Sequence, residues 1–227
     1  MNKLTFALLI VFIFSLQSNA ASVFEERFDY KTESALRAAW ERVGNTGSFA
    51  GLGNKAGVND GRPYGVFSNS LQRRQLPVVL KGSWKVSFKV LHTDLRRGTW
   101  LGLFDAAGKR GYAVLWDSGN PASGTGNGSV SVRKFDLTET LVNWSETGKM
   151  LGKAKDSGHV INQEPFAQFE FSWNKATGQL QVLVDGVQVT SVVDKDFDEF
   201  AAIYIRGNQS QYYADIVVSE IQDGASK

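Results

Sequence analysis

Phe169-Glu170-Phe171-Ser172-Trp173-Asn174, then Lys175-Ala176-Thr177-Gly178, then Leu180, Val182 and Val184, then Asp185-Gly186 ahead of Val187 and Val189: this stretch decides the fold class. Phe169, Phe171 and Trp173 alternate with Gln168, Glu170 and Ser172. A period of two places the aromatic residues on one face of a strand and the polar ones on the other. The five residues from Asn174 to Gly178 end in the residue that enters positive φ without steric cost, so they read as a reversal. Asp185-Gly186 between two apolar alternations is a strong two-residue hairpin signal. Three consecutive antiparallel strands are therefore predicted.

The pattern continues outward. Trp84, Val86, Phe88 and Val90 alternate with Lys85, Ser87 and Lys89; Ile203 and Ile205 bracket Tyr204; Ala214, Ile216 and Val218 alternate with Asp215, Val217 and Ser219. Residues 99–104 and 111–116 are more continuously apolar, as in strands covered on both faces, and Asp105-Ala106-Ala107-Gly108 reads as the reversal between them. One helical pattern appears, with Ala35, Leu36, Ala39 and Trp40 on one face and Thr32 or Ser34 available as N-cap. Many short strands with few helices indicate an all-β sandwich or barrel. Residues 44–65 and 117–128, rich in Gly and Asn, are the most irregular stretches.

The first twenty residues read as a signal peptide. Lys3 is their only charge, an apolar run from Leu4 to Leu16 is broken only by Thr5 and Ser15, and Ser18-Asn19-Ala20 supplies small residues at the positions a signal peptidase reads. That run is about 13 residues, against roughly 20 for a bilayer span; the alternative is an uncleaved anchor. Residues 21–227 then form a single domain, secreted or in the periplasm or cell envelope, with no transmembrane segment. The chain has no Cys, so neither disulfides nor a lipidated Cys are available and a full-sized core must hold the fold. The formal charge of +2 falls to about +1 without Lys3, a near-balance that argues against nucleic acid. Arg73-Arg74 and Arg96-Arg97 read as solvated loop charges.

At the 169–186 hairpin the chain resembles laminin-G-like and concanavalin A-like domains, in which a strand ending in Trp and a polar residue turns through Gly and the next ends in Asp-Gly. Phe24-Glu25-Glu26-Arg27-Phe28-Asp29, followed by a short helical turn and Trp40, resembles the opening strand of that superfamily. Tyr213-Ala214-Asp215-Ile216-Val217-Val218 resembles its closing strand. The resemblance covers most of residues 22–222. It implies a two-sheet antiparallel jelly-roll sandwich with one curved face and with first and last strands side by side. Lectins, adhesion modules, glycoside hydrolases and polysaccharide lyases share that fold, so function must be argued from residues.

Catalytic signatures are sparse. A retaining glycosidase needs two carboxyl groups about 5–5.5 Å apart. The Glu-x-Asp-x-(x)-Glu pattern of the glucanase branch has no match here, and Asp194, Asp196, Asp198 and Glu199, around Phe197, read as a solvated loop. His92 and His159 have no carboxylate or Tyr at a spacing that implies partnership and read as surface or loop histidines; there is no Gly-x-Ser-x-Gly. Asp117, Asn120 and Asn127 could offer oxygens to a calcium ion, which the resemblance allows at the sandwich rim. Among the aromatics, Trp84, Trp173 and Trp40 have core explanations. Trp116 ends a strand beside Asp117, Trp144 lies among polar residues, and Tyr64 sits beside Arg62 in a Gly/Asn-rich loop. An exposed ring beside polar side chains suits stacking on a sugar face; the competing reading of Trp116 is that it closes the end of the core. These residues point to an exported, non-catalytic binding module for a glycan or cell-surface ligand. The alternatives are a hydrolase or lyase with an unfamiliar active site and an envelope adhesion or structural protein.

Overall fold

The computed structural model describes residues 20–44, 50–55, 57–93, 98–118, 127–143, 145–161, 165–208 and 210–221. In chain order the elements are β1 (Ala20–Glu26), α1 (Glu33–Ala39), β2 (Glu41–Val43), β3 (Gly51–Gly53), β4 (Tyr64–Phe67), β5 (Ser70–Leu80), β6 (Ser83–Leu91) and β7 (Thr99–Phe104). They continue with β8 (Arg110–Asp117), β9 (Ser129–Asp136), β10 (Lys149–Asp156), β11 (Ala167–Asn174), β12 (Gln179–Val184), β13 (Val187–Val193), β14 (Phe200–Gly207) and β15 (Gln211–Ile221). They build two antiparallel sheets. One runs β13-β12-β11-β6-β15-β4-β3 with β1 also on β15; the other runs β10-β9-β8-β7-β14-β5-β2. The antiparallel sandwich predicted from the alternations is the observed fold, and first and last strands lie side by side, Glu26 opposite Ile216.

The hairpins follow their turn residues. Asp185 and Gly186 both take positive φ (51° and 79°), the type I′ geometry whose twist matches the flanking strands, and Val184 faces Val187 across it. α1 starts where Thr32 Oγ1 accepts from the Ala35 amide at 3.2 Å, so Thr32, not Ser34, is the N-cap. Its Leu36, with Trp40 beyond its end, is fully buried; Trp40 lies 6.2 Å from Phe28 in a stacked pair. Glu26 anchors this corner: its carboxylate accepts from the Phe28 amide (2.8 Å), the Tyr30 hydroxyl (2.6 Å) and Trp40 Nε1 (3.0 Å).

The main core lies between the sheets. Trp84, Val86, Phe88, Phe169, Phe171 and Trp173 from one sheet meet Leu101, Leu103, Val114, Val132, Ile203 and Ile205 from the other. A second cluster lies on the outer face of the seven-stranded sheet: Trp100, Phe104, Ala113, Leu115, Phe135, Ala202 and Tyr204, with Leu141 above them. This is why β7 and β8 are apolar at successive positions. The cover is the chain's own β9–β10 connection, held by the Trp100 Nε1 bond to the Glu146 carbonyl (3.1 Å) and the Leu141 amide bond to the Gly108 carbonyl (2.8 Å).

The sequence reading left three regions unassigned that prove to be strands. Residues 44–65 contain β3, a 3-10 turn (Asn59–Gly61) and the start of β4. Arg73 and Arg74 lie within β5 and not in a loop; Arg73 Nη2 reaches the Ala106 carbonyl and Arg74 Nη1 the Tyr30 hydroxyl. β9 and β10 close the seven-stranded sheet. Arg96 and Arg97 lie outside the described residues.

Candidate functional site

Trp116 is the last inward-facing residue of β8 and is 2% exposed. His92 meets it edge-on (5.3 Å, 90°), with Phe169 at 5.3 Å and His159 at 5.9 Å, and its Nε1–H donates to the Asn127 carbonyl at 2.9 Å. The exposed platform suggested by its place in the sequence is corrected: Trp116 closes this end of the core. His92 is fully buried, not a surface histidine. His159 also departs from expectation. Its Nδ1 lies 2.7 Å from Asp185 Oδ2 and its Nε2 3.0 Å from the Pro165 carbonyl. Asp185 Oδ1 accepts from the Gln168 amide at 2.9 Å. Both ring nitrogens and both carboxylate oxygens are thus engaged, so the pair pins the β12–β13 hairpin to the chain leading into β11 and is not poised to move protons for a substrate.

Beside this clamp the edge strands of the two sheets face each other. β10 is the last strand of one sheet and β13 of the other. Between them a cleft of about 400 Å3 is lined by Lys155, Asp156, Ser157, Val184, Asp185, Val187, Gln188 and Val189. Its carboxylates are fixed by the fold: Asp156 Oδ1 accepts from Asn127 Nδ2 (3.0 Å) and the Gly158 amide (2.8 Å), and Asp185 is held as described. The Ser157 hydroxyl donates to the Asn127 carbonyl, which also receives Trp116. Asn127 thereby couples the Trp116 end of the core to one wall of the cleft. Gln188 accepts from Gln181 Nε2 on the opposite wall, and Val187 is 67% exposed. The cleft offers an apolar patch ringed by directional polar groups, in the size range of small-ligand sites.

The other candidate residues fall elsewhere. By alternation with Trp116, Asp117 faces outward with Ser129, Ser131 and Arg133 of the neighbouring strand. Arg133 Nε donates to Ser131 Oγ at 3.0 Å; burial holds this guanidinium below its usual range, opposed by the field of Asp117. Among the described residues Arg133 makes no ion pair. Trp144 and Asn120 lie outside the described residues. Tyr64 and Arg62 sit on the outer face of the other sheet. Tyr64 is 4% exposed, packed on Tyr212 (4.9 Å) and Phe166 (6.0 Å), and Arg62 pairs with Asp215 at 3.1 Å. The four described residues, Trp116, Asp117, Tyr64 and Arg62, therefore do not form one site.

Of the acidic cluster at the opposite end, Asp194, Asp196 and Glu199 are ion-paired. Lys134 Nζ bonds Asp194 (2.8 Å) and Asp196, the Tyr112 hydroxyl bonds Asp194, and Lys81 bonds Glu199 (2.8 Å). Burial works to raise Asp194, and the bonds from Lys134 and Tyr112 outweigh it, holding the carboxyl below its usual range. Among the described residues no three His, Cys, Asp or Glu side chains converge as a metal site would require, and no helix is long and apolar enough to cross a membrane.

The architecture has counterparts among solved structures. The carbohydrate-binding module CBM66 from Bacillus subtilis superposes with a TM-score of 0.53 over 80% of this chain and 96% of its own, at 12% identity. Domain 4 of AbnA, an extracellular arabinanase from Geobacillus stearothermophilus solved with arabinotriose, gives 0.55 over 89% and 93%, at 15% identity. The VIP36 exoplasmic/lumenal domain, in its Ca2+/Man3GlcNAc-bound form, gives 0.56 over 89% and 90%, at 13% identity. The fold is that of the concanavalin A-like jelly rolls. At these identities the likeness establishes architecture alone. No protein-family model matches the chain, and no curated protein matches it.

The sequence signal for the cleft was weak but present. Lys149-Met150-Leu151-Gly152-Lys153-Ala154-Lys155-Asp156 lacks apolar alternation because β10 is an edge with almost no buried side chain. Lysine-rich short segments of this kind mark sheet edges.

Proposed function

We propose that this protein is an exported, non-catalytic glycan-binding module that holds its ligand in the cleft between β10 and the β12–β13 hairpin. The observation that carries the reading is the cleft itself: about 400 Å3, with Val184, Val187 and Val189 beside Lys155, Asp156, Asp185 and Gln188. A sugar ring has apolar C–H faces and a girdle of hydroxyls, so it matches apolar patches bordered by fixed donors and acceptors. The carbohydrate-binding names of structural neighbours support the class of ligand. The ion-paired acidic cluster supports a binding role over hydrolysis, since Asp194 and Asp196 are tied to Lys134. The leader-like residues 1–20 support export.

A glycan array with the wild type and with Val187→Asp and Gln188→Ala tests the site. Both side chains lie at the exposed cleft wall, so the melting temperature should hold. Affinity should fall at least about tenfold, equivalent to 1.4 kcal/mol. Unchanged binding by both variants would remove the cleft as the site. Release of reducing ends that disappears in Asp196→Asn would replace the binding role with an enzymatic one.

A further inference from the structure

Building on the glycan-binding reading, we infer that the ligand is an acidic polysaccharide whose anionic groups lie along the edge strand β10. Lys149, Lys153 and Lys155 all project from this strand, and all three are exposed. None makes an ion pair among the described residues, whereas Lys81, Lys85, Lys89 and Lys134 are each paired. Arg133, opposite Met150 on the adjacent strand, faces the outer surface of the sheet with Ser131 and Asp117 and lies outside this strip.

Acids border the strip at both ends, with Asp156 directly after Lys155, and Asp194 and Asp196 held by Lys134 opposite Lys149, so its positive excess comes from three lysines against carboxylates that already have partners. Asp156 is turned onto Asn127 and the Gly158 amide, and Asp185 onto His159 and the Gln168 amide. The facing edge strand, Val187-Gln188-Val189-Thr190-Ser191-Val192-Val193, carries no charge. The net charge of the whole chain is only +2, so the strip is a local concentration of charge and not a property of the surface at large. Lys149 and Lys155 face Lys134 and Val130, four residues apart on β9, so at about 3.3 Å per residue the lysines span roughly 13 Å, enough for two or three sugar units leading into the cleft. The irregular register between Leu151 and Lys155, with Gly152 at φ 71°, turns successive side chains away from strict alternation and fans the lysines along the edge.

A carboxylate and a sulfate both meet this chemistry, and the test separates them. Binding of the protein to polygalacturonate, dextran sulfate and neutral dextran is measured by calorimetry, with duplex DNA as a further polyanion. The variant Lys149→Gln/Lys153→Gln/Lys155→Gln is run alongside Arg133→Gln. We expect polygalacturonate or dextran sulfate to bind, and the one bound identifies the anionic group. With three contacts, affinity should drop roughly twentyfold between 50 and 200 mM salt by the slope for single-stranded polyanions, and Arg133→Gln, on the other face, should bind like the wild type. The triple variant should lose most of that salt dependence while melting like the wild type. Binding to neutral glycans alone would overturn this inference and leave the glycan reading intact, whereas failure to bind any glycan, here or on the array, would overturn both. Equal affinity for DNA, or a triple variant that binds normally but self-associates, would reduce the lysines to nonspecific charge or to protection of a sheet edge.

Discussion

Trp116→Ala tests the reassignment of this residue from ligand platform to core. The indole is 2% exposed and lies against His92, Phe169 and His159 at ring distances of 5.3, 5.3 and 5.9 Å. Truncating a buried Trp costs about 3–5 kcal/mol. The cost should not exceed this range, because the Asn127 carbonyl that loses Nε1 keeps the Ser157 hydroxyl and is not orphaned. With a urea m-value of about 2–3 kcal/mol/M, the unfolding midpoint should fall by roughly 1–2.5 M. Trp116→Phe retains most of the ring contacts and gives up the hydrogen bond, so it should cost only about 1 kcal/mol from that bond plus a smaller packing loss. Urea denaturation followed by Trp fluorescence and circular dichroism supplies both numbers. A loss below about 1 kcal/mol for Trp116→Ala, with ligand binding abolished, would refute the core assignment and restore the platform.

Two further outcomes follow from buried polar groups. Glu26→Ala should cost about 3–5 kcal/mol, as when one partner of a buried charged network is removed, since Trp40 Nε1, the Phe28 amide and the Tyr30 hydroxyl all lose their acceptor; a urea midpoint within error of wild type would contradict this. Stability should also fall as pH rises above about 10. Burial first, and then Glu26, pushes Tyr30 up to about 12; burial and Asp194 hold Tyr112 higher still, and burial alone raises Tyr213. In the unfolded chain these phenols ionise near pH 10. Between that value and the folded values the native state binds more protons, so its advantage is complete below about pH 10 and drains away through the folded titrations. Urea melts at about pH 9 and 11, with phenolate absorbance recorded, would contradict this if stability were flat and all six tyrosines ionised together near 10.

The strands legible in the sequence are those with one wet face. β6, β11 and β12 announce themselves because Lys85, Ser87, Glu170, Ser172 and Gln181 alternate with core residues. Asp185-Gly186 could be read as a hairpin because its backbone demand falls on just the two residues of the turn. β10 offers only a run of lysines, for the opposite reason: an edge strand that buries almost nothing carries no apolar period. The function of Trp116 was equally hidden, because a residue at a strand end beside Asp117 looks exposed unless the folded positions of His92, 24 residues before it, and His159, 43 after it, are known. The His159–Asp185 clamp, across 26 residues and two intervening strands, has no local signature at all.

These differences bear on where a ligand can be held. The outer face of the seven-stranded sheet is partly filled by Trp100, Phe104, Phe135 and Tyr204 under the chain's own β9–β10 connection, and the Trp116 end is closed by histidines. The acidic end is locked by Lys134 and Lys81. The open side between β10 and β13 combines a cavity with cations outside the ion pairs that bind most of the protein's other charges. Strand edges are where a sheet has backbone and side-chain groups left to offer, and β10 leaves them beside a cleft instead of covering them. The fold thus gathers its core aromatics inward and leaves polar, positively charged chain where the edge strands β10 and β13 border the cleft, which places the proposed ligand site at Lys155, Asp156 and Gln188 and not at the tryptophans.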